Sequence, residues 1–293
     1  MAGKRAEDPA SEPSPYAALA AEHGLQRQGV RGPFIAYLRD LYRSRQFIWT
    51  LGLTRTYSRN ENTYFGQVWA IFNPLIYAGV YYVIFGLILK TNGGVENFRA
   101  FLVIGVFIFQ FCSAALMVGS QSVTGNGSMI RSLRFPRAAL PISVVITEFL
   151  TLLPAIVVMF VLVTLTGETP SFEWLLVPVM LLVITIFNVG MALLMARMTH
   201  QFKDLRNLIT HFTRVLRYVS GVFFLISHYA EGLLGLVLEY QPYALALDVI
   251  REPLLGEFDL SWPHMAAMTA WALLATVGGL VYFWRGEGRY GLD

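Results

Sequence analysis

Side chains able to ionise, ligate or polarise are few in this chain, and three of them interrupt apolar runs: Gln110, Glu148 and Asn188. Polar groups at such depth are candidates for function by default. None of the three has a neighbour at catalytic spacing. The sequence has no HExxH, no G-x-S-x-G and no DxxD-like pair, and its five histidines stand apart at 23, 200, 211, 228 and 264. No catalytic residue and no metal site is therefore expected. Glu148 is read as bonding a neighbouring helix or facing a wet cavity; proton coupling is the alternative, although a proton-coupled carrier usually needs more than one such group. A phosphate-cradling loop requires Gly-Lys followed by Ser or Thr. The lysines are Lys4, Lys90 and Lys203, and none has that setting. If ATP drives this protein, a separate chain must hold the nucleotide and its magnesium. The lone Cys112, inside an apolar run, rules out an intrachain disulfide.

A second chemistry is that of a docking surface. Residues 121–141 read QSVTGNGSMIRSLRFPRAALP and carry Arg131, Arg134 and Arg137 beside Met129, Ile130, Leu133 and Phe135. Gly125, Gly127, Pro136 and Pro141 limit any helix there to about two turns. Positive residues next to a membrane span mark its cytoplasmic side. A short amphipathic helix held there can carry force from a soluble partner into the bilayer. Aromatic pairs offer a third chemistry: Tyr77 and Tyr81, Phe107 and Phe111, and Tyr218 with Phe223 and Phe224. Such rings stack on sugars along a path, and they serve equally as helix packing or interface belts.

The elements that must position these groups follow from composition. With 55% hydrophobic and 14% charged residues and a mean hydropathy of +0.53, the chain reads as an all-α integral membrane protein. About 20 apolar residues cross the hydrocarbon core. Six spans are predicted, at 68–89, 101–118, 140–165, 174–195, 207–226 and 265–284. The fifth is the least apolar, with Arg214 and Arg217 in its first half. Between the fifth and sixth, 232–238 and 243–250 are too short to cross and are expected as re-entrant or interfacial helices. Residues 1–32 are read as a disordered cytoplasmic tail, 33–66 as amphipathic interfacial helices, 67–285 as one six-span domain and 286–293 as a second cytoplasmic tail. On this topology all Lys and Arg except Lys90, Arg99 and Arg251 fall on one side, so both termini are expected in the cytoplasm.

Three blocks in order resemble a known family. Tyr64-Phe65-Gly66-Gln67-Val68-Trp69-Ala70-Ile71-Phe72-Asn73-Pro74-Leu75 is similar to the entry of the first span in type-2 ABC exporter permeases. Asn126, Met129-Ile130-Arg131, Phe135-Pro136-Arg137 and Leu140-Pro141 resemble that family's first coupling helix. Ser220-Gly221-Val222-Phe223-Phe224 and Gln241-Pro242, with Arg251 and Leu254-Leu255, match its outer gate. Gly221 stands where Pro is common and Gln241 where Asn is common, which leaves the bend of the fifth span and the gate loop open. The nearest likeness is to permeases of polysaccharide exporters, the O-antigen and teichoic acid type, and among them the actinobacterial lipid-linked galactan exporters.

The resemblance implies a homodimer in the cytoplasmic membrane with two copies of an ABC ATPase, moving an undecaprenyl-pyrophosphate-linked glycan outward, with no nucleic-acid partner. It implies coupling through Asn126, Met129, Ile130, Arg131, Leu133, Arg134 and Phe135, and through a smaller loop with His200, Asp204 and Asn207. A substrate path would run along Trp69, Tyr77, Tyr81, Phe107, Phe111, Tyr218 and Phe223. Arg39, Arg43, Arg55 and Arg59 would attract the headgroup phosphates, unless they are ordinary positive-inside residues. A drug or lipid exporter permease of the same family is the alternative, followed by a membrane enzyme or channel that uses no ATP.

Overall fold

The computed structural model describes residues 33–59, 64–88, 93–230 and 232–287, among which every regular element is helical. The expected tail at 1–32, Lys90, the end of the first predicted span at residue 89 and all but two residues of the last tail lie outside them.

Four helices are long and apolar enough to cross a membrane. These are α4 (Phe98–Ser120), α6 (Ala139–Leu165), α7 (Leu176–Gln201, preceded by a 3-10 turn Phe172–Leu175) and α12 (Trp262–Arg285). The starts of α4 and α12 are written in the sequence. The Asn97 side chain accepts from the Ala100 N–H and the Ser261 hydroxyl from the His264 N–H, and Pro263 occupies the first turn of α12. Of the four, α4 is the most enclosed, with Phe101, Phe107 and Phe109 fully buried among α6, α7 and the later helix Pro242–Leu254. Helices α7 and α12 make the most extensive pair. A Cβ on Gly190 would lie 2.2 Å from the Ala275 carbonyl carbon, and one on Gly279 would lie 2.3 Å from the Gly190 carbonyl oxygen. Small residues let membrane helices approach to backbone contact.

Two helices precede this bundle, α1 (Phe34–Arg43) and α2 (Arg45–Ser58), with Pro33 just ahead of the first. Helix α3 (Trp69–Tyr81) continues as a π-helical stretch, Tyr82–Ile88. The short α5 (Gly127–Ser132) follows a 3-10 turn, Thr124–Asn126. After α7 come α8 (Leu205–Val219), α9 (Ile226–Tyr229), α10 (Gly232–Glu239) and α11 (Pro242–Leu254).

The two ends of the bundle are distinct. Tyr37 donates to Glu287 at 2.8 Å and Tyr282 to Gln201 at 2.8 Å, so α1, the end of α7 and the end of α12 share one end, here called the basic end. At the other end the Asn97 amide donates to Glu168 at 2.8 Å, the Gly256 N–H to Glu168 at 3.0 Å and the Leu225 N–H to the Gly93 carbonyl at 2.8 Å.

Of the six expected spans, four are matched by helices long and apolar enough to cross. The segment at 207–226 does run from the basic end to the far end, but its helix stops at Val219 after 15 residues, about 22 Å by helical rise. That is short of the ~30 Å hydrocarbon core. The cause is local: Gly221 takes φ +72, a left-handed conformation, and turns the chain. Pro, whose ring fixes φ near −65°, would not fit here. Helices α10 and α11, bent by 75°, form either a broken span or a re-entrant pair, so that by length and composition alone four or five spans are counted among the described residues. The first predicted span coincides with α3 and its π extension, whose apolar run is shorter than those of the four long helices.

Candidate coupling and translocation surfaces

The basic loop is built onto the bundle, not hung from it. Ile130 is buried, and with Met129 and Phe135 it joins a cluster containing Tyr37, Leu140, Ala196 and Phe283. Phe135 packs on Phe47 of α2 at 5.1 Å between ring centroids. Asn126 donates to the Ser122 carbonyl at 2.6 Å, and its carbonyl oxygen accepts from Arg55 at 2.9 Å. Arg55 also donates to Ser143 of α6 at 3.2 Å. Burial lowers the Arg55 pKa from its ordinary value. What remains outward is Arg131, Arg134 and Leu133, the last 53% exposed.

The smaller loop lies beside it, since the end of α7 packs against Thr124–Asn126. There Asp204 and Asn207 are exposed, His200 is half-buried and Phe202 presents a bare ring, 65% exposed. The two predicted coupling segments thus form one surface.

That surface is tied to both described chain ends by a residue that no motif or spacing singles out. Glu287 accepts from the Tyr37 hydroxyl and, at 2.9 Å, from the Arg137 N–H, while the Arg137 guanidinium donates to the Glu287 carbonyl. Burial pushes the Glu287 carboxyl above its usual value, against the opposing pull of these donors.

The predicted path residues divide. Phe107, Phe111 and Phe223 are buried in the core. Tyr77 and Tyr218 are exposed, Tyr81 is half-buried on Phe223 at 4.5 Å, and Trp69 sits in a ring cluster with Phe65 and Phe72. Exposed packing is organised by α8, which has three faces. Ile209, Thr213 and Leu216 are buried. Leu208, Phe212, Val215 and Val219 form a bare apolar stripe. Thr210, Arg214, Arg217 and Tyr218 join Tyr81, Ser113 and Met117 around an open cleft of about 350 Å³. Arg217 donates to the Tyr81 hydroxyl at 2.9 Å and lies 5.7 Å from the Tyr77 ring.

The predicted phosphate residues do not converge. Arg39 and Arg43 are exposed on α1, Arg43 only 3.9 Å from Asp40. Arg55 is turned to the coupling loop, and Arg59 pairs with Glu148 at 2.9 Å. Glu148 therefore bonds a neighbouring element and also lines a cavity of about 140 Å³. Asn188 is buried and donates weakly to the Cys112 sulfur at 3.8 Å.

At the far end, Arg251, counted from the sequence as an outer charge, is 2% exposed. It donates to the carbonyls of Gly221 at 2.9 Å, Val222 at 3.1 Å and Phe101 at 3.3 Å, and its guanidinium lies 3.4 Å from the Phe101 ring centroid. Gly105 leaves it room: a Cβ there would sit 2.3 Å from a guanidinium nitrogen.

A multi-helix bundle with an amphipathic entry, a basic loop docked under the spans and a clamped turn at the far end can be compared with known proteins. The family profile described as ABC-2 type transporter matches residues 47–255. The O-antigen export system permease protein RfbA of Klebsiella pneumoniae is 26% identical over 226 residues, 77% of this chain and 86% of that protein. The protein of the same name from Myxococcus xanthus is 24% identical over 190 residues, 65% of this chain and 72% of that one. The matched region includes the basic loop, α8 and the Arg251 clamp, and the chain belongs to the ABC-2 type transporter family.

Proposed function

We propose that this chain is the transmembrane subunit of an ATP-driven exporter that moves an undecaprenyl-pyrophosphate-linked polysaccharide of the O-antigen or galactan type from cytoplasm to periplasm. It acts as a homodimer with two copies of a separate ATPase, its basic end in the cytoplasm and both termini there, in the cytoplasmic membrane. The chain crosses six times, the fifth crossing being α8 with the turn that follows it. The observation that carries this reading is α8. Its apolar stripe and its Arg214, Arg217 and Tyr218 face stand side by side, and neither lipid nor water suits both. A second copy across a two-fold axis covers the stripe and turns two half-clefts into one wet path. The family implies an ATPase partner, the names of the relatives support a saccharide cargo, and the resemblance favours galactan.

The test is native mass spectrometry of the chain expressed with its genomic neighbours and extracted in mild detergent, together with depletion in the host. Two copies of each subunit and an accumulating lipid-linked glycan are expected. A chain that emerges without an ATPase, or depletion that leaves lipid-linked glycans unchanged, overturns the reading.

A further inference from the structure

Arg59 ends α2, and Glu148 lies in the third turn of α6, about 14 Å along the helix from Ala139 at 1.5 Å per residue. The carboxylate is 6% exposed and the guanidinium 40%. A carboxylate buried at that depth is costly unless paired. Its partner, by contrast, is reachable. The cavity behind the pair is bounded by α3, α4 and α6 and has an unusual lining for a membrane interior. Gln110, half-buried, and Asn73, exposed, face it with side-chain amides that make no hydrogen bond among the described residues, Thr151 adds a hydroxyl, and Phe107 and Phe111 form an aromatic wall. Amides without a protein partner at the mouth of such a cavity can be matched by the polar groups of a guest.

We propose that this cavity binds the sugar-phosphate headgroup of an anionic glycolipid, and that Glu148 is an intramolecular stand-in that holds Arg59 until the headgroup displaces it. This rests on the exporter reading above. Each group has a role fixed by its chemistry. The guanidinium forms two parallel hydrogen bonds to a phosphate as readily as to a carboxylate. Amides donate and accept, as sugar hydroxyls require. Phenyl faces cover the apolar face of a pyranose or the first prenyl unit. When the phosphate takes Arg59, Glu148 turns to accept hydrogen bonds from the hydroxyls of the entering sugar, so its charge stays paired while headgroup entry releases the link between α2 and α6. Helix α2 carries Arg55, which grips Asn126 of the coupling loop. Occupancy of the cavity is thereby readable at the ATPase.

The experiment uses the permease–ATPase complex in phosphatidylcholine nanodiscs and measures binding of four probes: a farnesyl-diphosphate-linked monosaccharide, farnesyl diphosphate, inorganic pyrophosphate and added phosphatidylglycerol. Arg59→Gln should weaken the glycolipid at least about tenfold, the loss of a charge-assisted bidentate pair. Glu148→Gln should tighten it by about tenfold, because no carboxylate then competes; a purely structural ion pair predicts no change or a loss. Gln110→Leu should weaken the glycolipid and leave farnesyl diphosphate alone, and it keeps the test open if Glu148→Gln does not fold. Wild-type-like glycolipid binding by Arg59→Gln and Gln110→Leu overturns the site. Equal binding of phosphatidylglycerol and the glycolipid overturns the headgroup assignment. If these variants bind as wild type while the wild-type complex still exports glycan, the cavity proposal fails alone. If the wild type binds no prenyl diphosphate and exports no glycan, the exporter reading fails with it.

Discussion

Arg251 shows how much one side chain can organise. Its guanidinium reaches two carbonyls in the turn after α8 and a third at the start of α4, so three separate parts of the chain meet on one planar cation. Asp248, one helical turn earlier, is 3.5 Å away and supplies the nearest negative charge. Lysine carries the same charge on a single nitrogen and cannot hold a fork of carbonyls. Arg251→Lys is therefore expected to lower stability by about 2–4 kcal/mol, the worth of one or two charged hydrogen bonds lost in a buried site. Thermal unfolding of the detergent-solubilised complex checks this; an unchanged midpoint would remove Arg251 from the clamp. From the sequence this residue was one of three outer charges. Its burial was not legible there, because the carbonyls that hold it belong to segments 29 to 150 residues away. Glu148 was hidden for the same reason: its depth was visible, but its partner Arg59 lies 89 residues earlier.

At the scale of elements, spans that are apolar all round announce themselves, and α4, α6, α7 and α12 fall close to their predicted places. Helix α8 does not, because its buried face is narrow and the rest of its surface is half polar. Hydropathy averages those faces into a weak signal, while the single glycine at 221 decides where the helix ends. The tightest pair was also unannounced. Gly190 and Gly279 lie in separate apolar runs, and only their meeting makes them matter. Gly190→Leu places four heavy atoms where α12 now has backbone, so α7 and α12 must separate and the hydrogen bond from Thr276 to the Ile186 carbonyl, 2.8 Å, is lost. Overpacking of this kind costs about 1–3 kcal/mol, more where backbone must move. Gly278, whose added Cβ would meet nothing, is the control. Gly278→Leu should leave the unfolding midpoint in detergent nearly unchanged while Gly190→Leu lowers it by several degrees. Equal effects of the two would mean that the close approach is not what holds the pair.

For the whole molecule the question is how a push at the basic end, on the proposed coupling, would be conveyed. The basic loop proposed for coupling has two kinds of residue, separable by burial. Phe135 belongs to the interior: its ring lies on Phe47, and its cluster joins the loop to α1, α6, α7 and α12. Leu133 points outward, as does Phe202 on the neighbouring loop. An exposed pair of apolar side chains beside Arg131 and Arg134 has the composition of a contact whose apolar centre is ringed by charge. Placing a carboxylate at each position should therefore give different defects. Leu133→Asp is expected to leave insertion and thermal stability as in wild type and to reduce ATPase retention on the purified permease about tenfold or more, as loss of a central contact does. Phe135→Asp should lower both, because an unpaired carboxylate inside the Tyr37 cluster unseats α2 and frees the Arg55–Asn126 link. Copurification stoichiometry and an unfolding curve on the same sample distinguish them. Were Leu133→Asp to retain its ATPase fully, the outward face of this loop would not be the docking surface, and the push would have to enter through the segment containing Phe202.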